Sequence, residues 1–496
     1  MNNAERMDRR QPWISGSIIG IYLLARLPGI MNIPLFNDEL IYLSWVRGFP
    51  TTIASTLQDG KLIHPLLLGP LIQLTSASLL TGRLLSVISG LATLLLLPFV
   101  GRMLGFPQAG WLSALCYAVA PMAVLHERLF LADSLLTLAA LLVLITSIQF
   151  TTNANPTTGH SLRIGLALGL SELVKVTGLF LAIIPISTTL FLTPTWPERW
   201  QRLALLRRAV IVALFSIALL APFHYGGGMR GSAEAASLGE RLTSIGENVR
   251  YAIDWMARYT AAPLLIPIGY ALGLSQLALR TRRVISMLVC IAISFISIYI
   301  LISTSLFSRY LFPALPPLLL AASIAISELW RTRRTLTRIV ALGSLAAALL
   351  WGGWNAFLLA TDPPAAPLAA RDRWQYLEAW TAGYNLDAMM DRIRQEATTQ
   401  GKIVLVNHAR GRLIHMAAFY FLADRPNIQV ERVELPETTA TPEIEAFAKQ
   451  APTYLLLDGE EYDLLEMPQR FPKAHVIYFT QNPISAMRFY LLRYGS

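Results

Sequence analysis

Apolar runs of about 17 to 25 residues recur through the first 360 positions of this chain, each long enough to cross the roughly 30 Å hydrocarbon core of a bilayer as a helix. A membrane β-barrel would instead show segments of about ten residues with alternating polarity, and no soluble core needs so many long runs. With 54% hydrophobic and only 15% charged residues, the chain is read as an integral membrane protein whose spanning part is an all-α bundle. Soluble enzymes and outer-membrane porins are excluded. The formal net charge of +10 comes mostly from arginines between apolar runs, as in cytoplasmic loops that face anionic lipid. No nucleic-acid partner is needed to explain it. Cys116 and Cys290 both lie inside apolar runs, so no disulfide framework or cysteine metal site is expected.

The first run, residues 13–30, follows Arg6, Arg9 and Arg10 and lacks a small-residue cleavage site, which predicts a retained anchor with a cytoplasmic N-terminus. Further spans are predicted near 82–101, 108–126, 132–150, 162–174, 176–193, 206–223, 263–279, 284–304, 310–328 and 338–359, about eleven in all. Arg102, Arg163, Arg199, Arg202, Arg207, Arg208, Arg280, Arg282, Arg283, Arg331, Arg333, Arg334 and Arg338 then fall on cytoplasmic turns. An odd number of spans places the loops 31–81 and 224–262, and everything after Ala360, on the exoplasmic side.

At Thr361-Asp362-Pro363-Pro364 the composition turns polar, which divides the chain into a polytopic domain, 1–360, and an exoplasmic α/β domain, 361–496. Strands are predicted at 402–407, 453–458, 475–480 and 487–493, and helices at 414–423 and 442–450. The charged residues of this tail are dispersed and show no nucleophile, metal or phosphate pattern, so the tail is read as selecting or positioning an acceptor. No internal repeat, phosphate-cradling glycine motif or His-x-x-x-His helix occurs.

The polar residues most worth explaining sit at exoplasmic helix ends, because ionisable groups beside hydrocarbon are retained for pairing or function. Asp38 and Glu39 adjoin in the first loop and are the leading catalytic candidates; alternatively Asp38 caps a helix and Glu39 lies in its first turn. His126, Arg128 and Asp133 crowd a turn between two apolar runs, where Asp133 can also be an ordinary cap. Lys175 interrupts an apolar hairpin, with a snorkelling lysine as the plainer reading. Arg309, followed by Tyr310, starts another span and can hold a lipid headgroup or a phosphate. Three cations on short exoplasmic turns, Arg128, Lys175 and Arg309, run against the positive-inside preference and call for an anionic partner.

Histidines 64, 126 and 224 fall near exoplasmic helix ends, so a divalent cation held by Asp38, Glu39, His64 and His224 is a possible cofactor, although no ligand spacing enforces it. The loop from His224 through three glycines to Trp255 and Tyr259 reads as a hinged amphipathic lid on the bilayer, or as an interfacial helix that only seals the bundle.

In order along the chain, the Asp38-Glu39 pair, Arg128 with Asp133, Lys175, and the segment Arg309-Tyr310-Leu311 to Pro317 resemble the polytopic GT-C glycosyltransferases that use polyprenyl-phosphate sugars. That group includes protein O-mannosyltransferases and the lipid A aminoarabinose transferase. Asp372-Arg373-Trp374-Gln375-Tyr376 with Trp380-Thr381-Ala382-Gly383-Tyr384 also resembles the exoplasmic domain of prokaryotic relatives. The resemblance implies a prokaryotic plasma-membrane enzyme that moves a sugar from a polyprenyl-phosphate donor to a hydroxyl of a lipid, glycan or protein acceptor. The lumenal module of eukaryotic protein O-mannosyltransferases has no counterpart here, so the donor class transfers better than the acceptor.

Chemistry points the same way. A polyprenyl phosphate is already a good leaving group, so transfer needs a base for the acceptor and positive charge on the departing phosphate. Asp38 is assigned as the base, with Glu39 orienting it or joining a metal site, and Lys175, Arg128 and Arg309 as the phosphate partners, supported by Asp133, Tyr310 and His126. One base and direct attack predict inversion at the sugar carbon. A transporter or flippase of a lipid-linked or anionic substrate is the alternative, although the two halves differ and the charges gather at one surface.

Overall fold

The structure, a computed structural model, describes all residues except 1–2, 75–78, 225–237, 260–261, 275–276, 333, 409–412, 434–441, 460–470 and 496. The chain folds as two compact units, one formed by Met1–Asn32 with Trp45–Ala369, the other by Ile33–Ser44 with Ala370–Ser496.

The first unit is helical and spans the membrane several times. Among the described residues, five helices are long and apolar enough to cross a bilayer: Leu79–Leu104, Ala132–Thr152, Leu279–Ile302, Ser308–Arg331 and Thr335–Thr361. Pro107–Val119 and Pro121–Glu127, bent by 58° where they meet, make a sixth if taken together. The expectation of about eleven spans is therefore not met by length and apolarity. The reason is visible in the broken helices. The runs at 162–174 and 176–193 form Thr158–Val174, a 3-10 turn Val176–Ala182 and the 10-residue Ile183–Leu192; a 17-residue helix reaches only about 26 Å. The run at 263–279 yields a 9-residue helix, Leu265–Gly273, and the first helix, Asn3–Leu24, ends before Ile30.

Packing follows the sequence. Ser308–Arg331 packs against Pro107–Val119, Leu279–Ile302 and Thr335–Thr361, and every residue from Leu315 to Ile326 is buried. Thr335–Thr361 instead exposes Leu336, Ile339, Leu342, Leu350 and Trp354 along its outer face, as a lipid-facing helix does. Leu79–Leu104 and Pro107–Val119 approach so closely that a Cβ on Gly101 would lie 2.5 Å from the Cα of Gly110. Small residues allow such contacts where no hydrophobic force drives helices together. The amphipathic helix Leu238–Tyr259 is fastened to this unit: Asn248 Nδ2 donates to Ser303 O at 2.7 Å, and Trp255 is buried. The glycines of the expected hinge lie outside the described residues.

The second unit is α/β. Its strands are β1 (Leu35–Phe36), β2 (Ala382–Gly383), β3 (Ile403–His408), β4 (Ile428–Val433), β5 (Thr453–Asp458), β6 (Ala474–Gln481) and β7 (Arg488–Tyr494). The main sheet runs β4-β3-β5-β7-β6. β3 is parallel to β4 and β5, and β7 is antiparallel to β5 and β6. β5 is buried throughout because it lies in the middle of the sheet with helices packed over it, which explains its unbroken Tyr454-Leu455-Leu456-Leu457. The predicted strands and helices of this unit are all present, joined by elements the sequence reading passed over, among them β1, β2, β4 and the helix Leu386–Gln400.

Candidate functional site

In the first unit the chain breaks its helices where the candidate charges fall. Lys175 has extended backbone (φ −161°, ψ 133°) between Thr158–Val174 and the 3-10 turn, and its N–H still bonds Ser171 O at 3.1 Å. Gly178 closes the turn: a Cβ there would lie 2.2 Å from Ser171 O. Non-helical backbone at membrane depth is tolerated where it is buried in protein. Here the break turns a lysine into the protein interior rather than toward headgroups. Lys175 Nζ donates to Asp133 Oδ1 at 2.7 Å, with both residues buried.

Arg309 lies in the first turn of Ser308–Leu311, at the start of the most buried span. Tyr310 sits between the two cations. Lys175 Nζ lies 4.5 Å from its ring centre and the Arg309 guanidinium carbon 5.3 Å. The ring stacks on Tyr299 at 5.6 Å and meets Phe307 edge-on. Aromatic faces attract cations and fix their position while leaving their N–H groups for an anion. His126 joins from the neighbouring turn, its Nε2 2.9 Å from Ser308 Oγ. Lys175, Arg309 and His126 all act electrostatically on Asp133. The structure thus assembles Asp133, Lys175, Arg309, Tyr310 and His126 into one cluster, in which both cations act on the carboxylate of Asp133.

Arg128 is placed differently. Its guanidinium donates to Ala25 O (3.0 Å), Gly29 O (3.1 Å) and Leu359 O (3.1 Å). These carbonyls follow or end helices, where a cation stabilises the otherwise unpaired C=O groups. Beside it lies a network the sequence reading missed. Arg26 Nε and Glu127 Oε2 are 2.5 Å apart, both fully buried, and Glu127 also accepts from the hydroxyls of Tyr22 (2.9 Å) and Tyr117. Arg26 further donates to Ala118 O. Gly90 makes the room, since a Cβ there would lie 2.1 Å from the Glu127 carboxyl. The signal was available: Arg26 is a lone charge within the first apolar run.

His64 is buried against Phe130, at 5.4 Å between ring centres. Burial pushes its pKa down to about 4, Asp133 opposing and Lys61 assisting, so the imidazole is neutral at pH 7.

Asp38 and Glu39 belong to the second unit, in the first turn of the helix Asn37–Arg47. Glu39 is fully buried and its Oε2 accepts the Phe36 N–H at 3.0 Å, as the acid of a capping box does. Asp38 is partly exposed. The segment holding them is gripped by the C-terminal domain. β1 pairs antiparallel with β2, with Leu35 opposite Gly383 and Phe36 opposite Ala382. Asn37 N donates to Thr381 O at 3.1 Å, and the Phe36 ring meets Tyr376 edge-on at 4.9 Å. Thr381 Oγ1 in turn bonds Gln375 O. Gly383 is required by this approach: a Cβ would lie 2.9 Å from Leu35 O. The two tail motifs at 372–376 and 380–384 are therefore the surface on which the Asp38 segment is laid.

No group of three or more His, Cys, Asp or Glu side chains that could hold a metal ion occurs among the described residues. The side chain of His224 lies outside them.

Residues 62–225 match the family of dolichyl-phosphate-mannose-protein mannosyltransferases. No curated protein matches the chain in sequence. Among solved structures the chain is similar to ArnT from Cupriavidus metallidurans in the apo state, with a TM-score of 0.59 and 12% identity over 98% of both chains. ArnT bound to undecaprenyl phosphate gives 0.55 and 14% over 97% of both. The Archaeoglobus fulgidus oligosaccharyltransferase in complex with Zn and sulfate gives 0.51 and 13%, over 96% of this chain and 72% of that one. At these identities the likeness is one of fold, and it runs nearly end to end. The chain has the polytopic GT-C fold that the sequence resemblance implied.

Proposed function

We propose that this protein is a membrane glycosyltransferase that moves a sugar from a polyprenyl-phosphate donor to an acceptor hydroxyl at the exoplasmic face of a prokaryotic plasma membrane. The observation that carries the proposal is the buried cluster around Tyr310, where Lys175 and Arg309 lie against one aromatic ring and Lys175 pairs with Asp133. Asp133 holds Lys175 in place. A phosphate entering the cluster accepts hydrogen bonds from Lys175 and Arg309, and its negative charge, which grows as the bond to the sugar breaks, is stabilised by groups that need no rearrangement. The undecaprenyl phosphate bound by ArnT, whose fold this chain shares, fits that chemistry.

Arg128 is assigned to holding helix ends, because its Nη1 and Nη2 bond three backbone carbonyls. The base is Asp38. Asp38 is the partly exposed carboxylate of the pair, while Glu39 is buried and bonded to the Phe36 N–H. Asp38 takes the proton from the acceptor hydroxyl as the oxygen attacks the anomeric carbon, and the phosphate leaves as the anion without a general acid. A single displacement inverts the configuration of that carbon. The C-terminal domain then has two roles in the proposal: it carries the segment that bears the base, and it selects the acceptor.

The reading is tested with the purified full chain and a panel of labelled polyprenyl-phosphate sugars. Transfer to an acceptor, or slow hydrolysis of one donor, is expected. Donor binding without turnover for every sugar and acceptor, together with flux of the intact lipid across proteoliposomes, would favour transport instead.

A further inference from the structure

Away from the Tyr310 cluster, the described residues of the helical unit enclose a cavity of about 1080 Å³. It opens among the last turns of Leu79–Leu104, Ala132–Thr152 and Ile183–Leu192 and the first turns of Trp196–His224 and Leu279–Ile302. Its wall is mixed. Leu104, Leu205 and Val284 line it beside Arg202, Arg280 and Arg283, with Glu198 as the single carboxylate.

Two of these arginines have duties in the fold. Arg202 donates to Phe150 O (2.8 Å) and Asn153 O (2.9 Å), and Arg280 to Leu104 O (3.3 Å), neutralising helix C-termini. Arg283 does not: its half-buried side chain lines the cavity with no hydrogen-bond or ion-pair partner among the described residues. Depth is marked independently. Trp196 and Trp200, at the start of the helix that carries Arg202, are 62% and 65% exposed, as tryptophans are where helices leave the hydrocarbon for the headgroups.

We infer that this cavity is a binding site for an anionic phospholipid, its phosphate on Arg283 and Arg280 and the start of its acyl chains along Leu104, Leu205 and Val284. A cavity of this size with both basic and apolar lining suits that chemistry, and a basic pocket between transmembrane helices is a recurring lipid site. A free phosphate shares the anionic chemistry but leaves the apolar wall uncovered.

The test is native mass spectrometry of the detergent-purified full chain offered equal amounts of dioleoyl phosphatidylglycerol and dioleoyl phosphatidylcholine. The wild type is expected to retain the glycerol lipid over the choline lipid by roughly fivefold, the factor one basic side chain near a membrane surface contributes. Arg283→Gln should bring the ratio to parity, Arg283→Lys should keep it, and Arg207→Gln, on the same helix as Arg202 but outside the cavity, should leave it unchanged. Parity in the wild type overturns the proposal whether or not the variants fold, and so does a preference that survives Arg283→Gln. Displacement of the lipid by inorganic phosphate at the lipid's own concentration overturns the lipid assignment in favour of a soluble anion.

Discussion

The backbone N–H of Asn37 donates to the carbonyl of Thr381 at 3.1 Å, extending the pairing of β1 with β2 to the residue before Asp38. A segment that would otherwise be a loose loop is thereby fixed as part of the C-terminal domain. A catalytic carboxylate must be held to within a fraction of an ångström to be effective. In the proposed mechanism the domain therefore takes part in positioning the base, through the segment that carries Asp38.

Gly383→Val tests this directly. The added Cβ would meet Leu386 at 2.6 Å and Leu35 O at 2.9 Å, so β1 must shift. Turnover is expected to fall by roughly 10², with donor affinity unchanged, because the phosphate partners are in the other unit. Equal loss of donor binding, measured on the same preparation, would contradict the assignment.

For Lys175 the signature is the opposite. Lys175→Ala removes a phosphate partner and is expected to weaken donor binding by roughly 2 to 5 kcal/mol. It also leaves Asp133 without its 2.7 Å partner in a buried site. The double variant Asp133→Asn/Lys175→Ala separates the two effects. It should regain thermal stability relative to Lys175→Ala and still bind the donor poorly. Recovery of donor affinity in the double variant would reduce Lys175 to a structural ion.

Arg26 and Glu127 make a purely structural prediction. Removing one member of a fully buried pair typically destabilises by about 3 to 5 kcal/mol, so Glu127→Ala should lower the melting temperature sharply. Gly90→Ala should do the same, since its methyl would collide with the Glu127 carboxyl. Wild-type melting in both would mean that the network is dispensable.

The second unit carries a pH dependence of its own. His415 is buried with its ring edge-on to Phe419, and burial, assisted by Arg432, lowers its pKa to about 4. An unfolded histidine titrates near 6.5. The folded pKa is the lower one, so the stability held by neutral His415 is complete above about pH 6.5 and is lost as pH falls toward 4. Thermal melts across that range should show a decline that His415→Gln flattens.

Much of this was legible in the sequence, for physical reasons that differ by element. Leu79–Leu104 and Leu279–Ile302 announce themselves because apolarity over more than 20 residues has few other uses. β5 is equally plain, since a strand buried on both faces must be apolar throughout. The alternation Ile428, Val430 and Arg432 against Gln429, Glu431 and Val433 is weaker, as suits a strand at the sheet edge, and β4 was passed over. Asp133, Lys175 and Arg309 stand out in the sequence because each is a charge inside or at the edge of an apolar run, and the structure brings the three together. The sequence also shows Arg128 as a charge without showing the three backbone carbonyls that its Nη1 and Nη2 contact. The pairing of Leu35 with Gly383 was beyond reach, because a two-residue strand has no periodicity and its partner is remote in the chain.

Topology is checked by reporter fusions after Ala360. Alkaline phosphatase fused there should be active, and a fluorescent cytoplasmic reporter dark. The reverse pattern would put Asp38 and the proposed acceptor on the wrong side of the membrane.

The most direct measurement is turnover of Asp38→Asn with a labelled polyprenyl-phosphate sugar. Asparagine keeps the shape and caps a helix as well as aspartate does, but it cannot take the acceptor's proton. The account predicts a fall in turnover of roughly 10² to 10⁴ with donor binding intact, and an Asp38→Asn enzyme that turns over at the wild-type rate would contradict it.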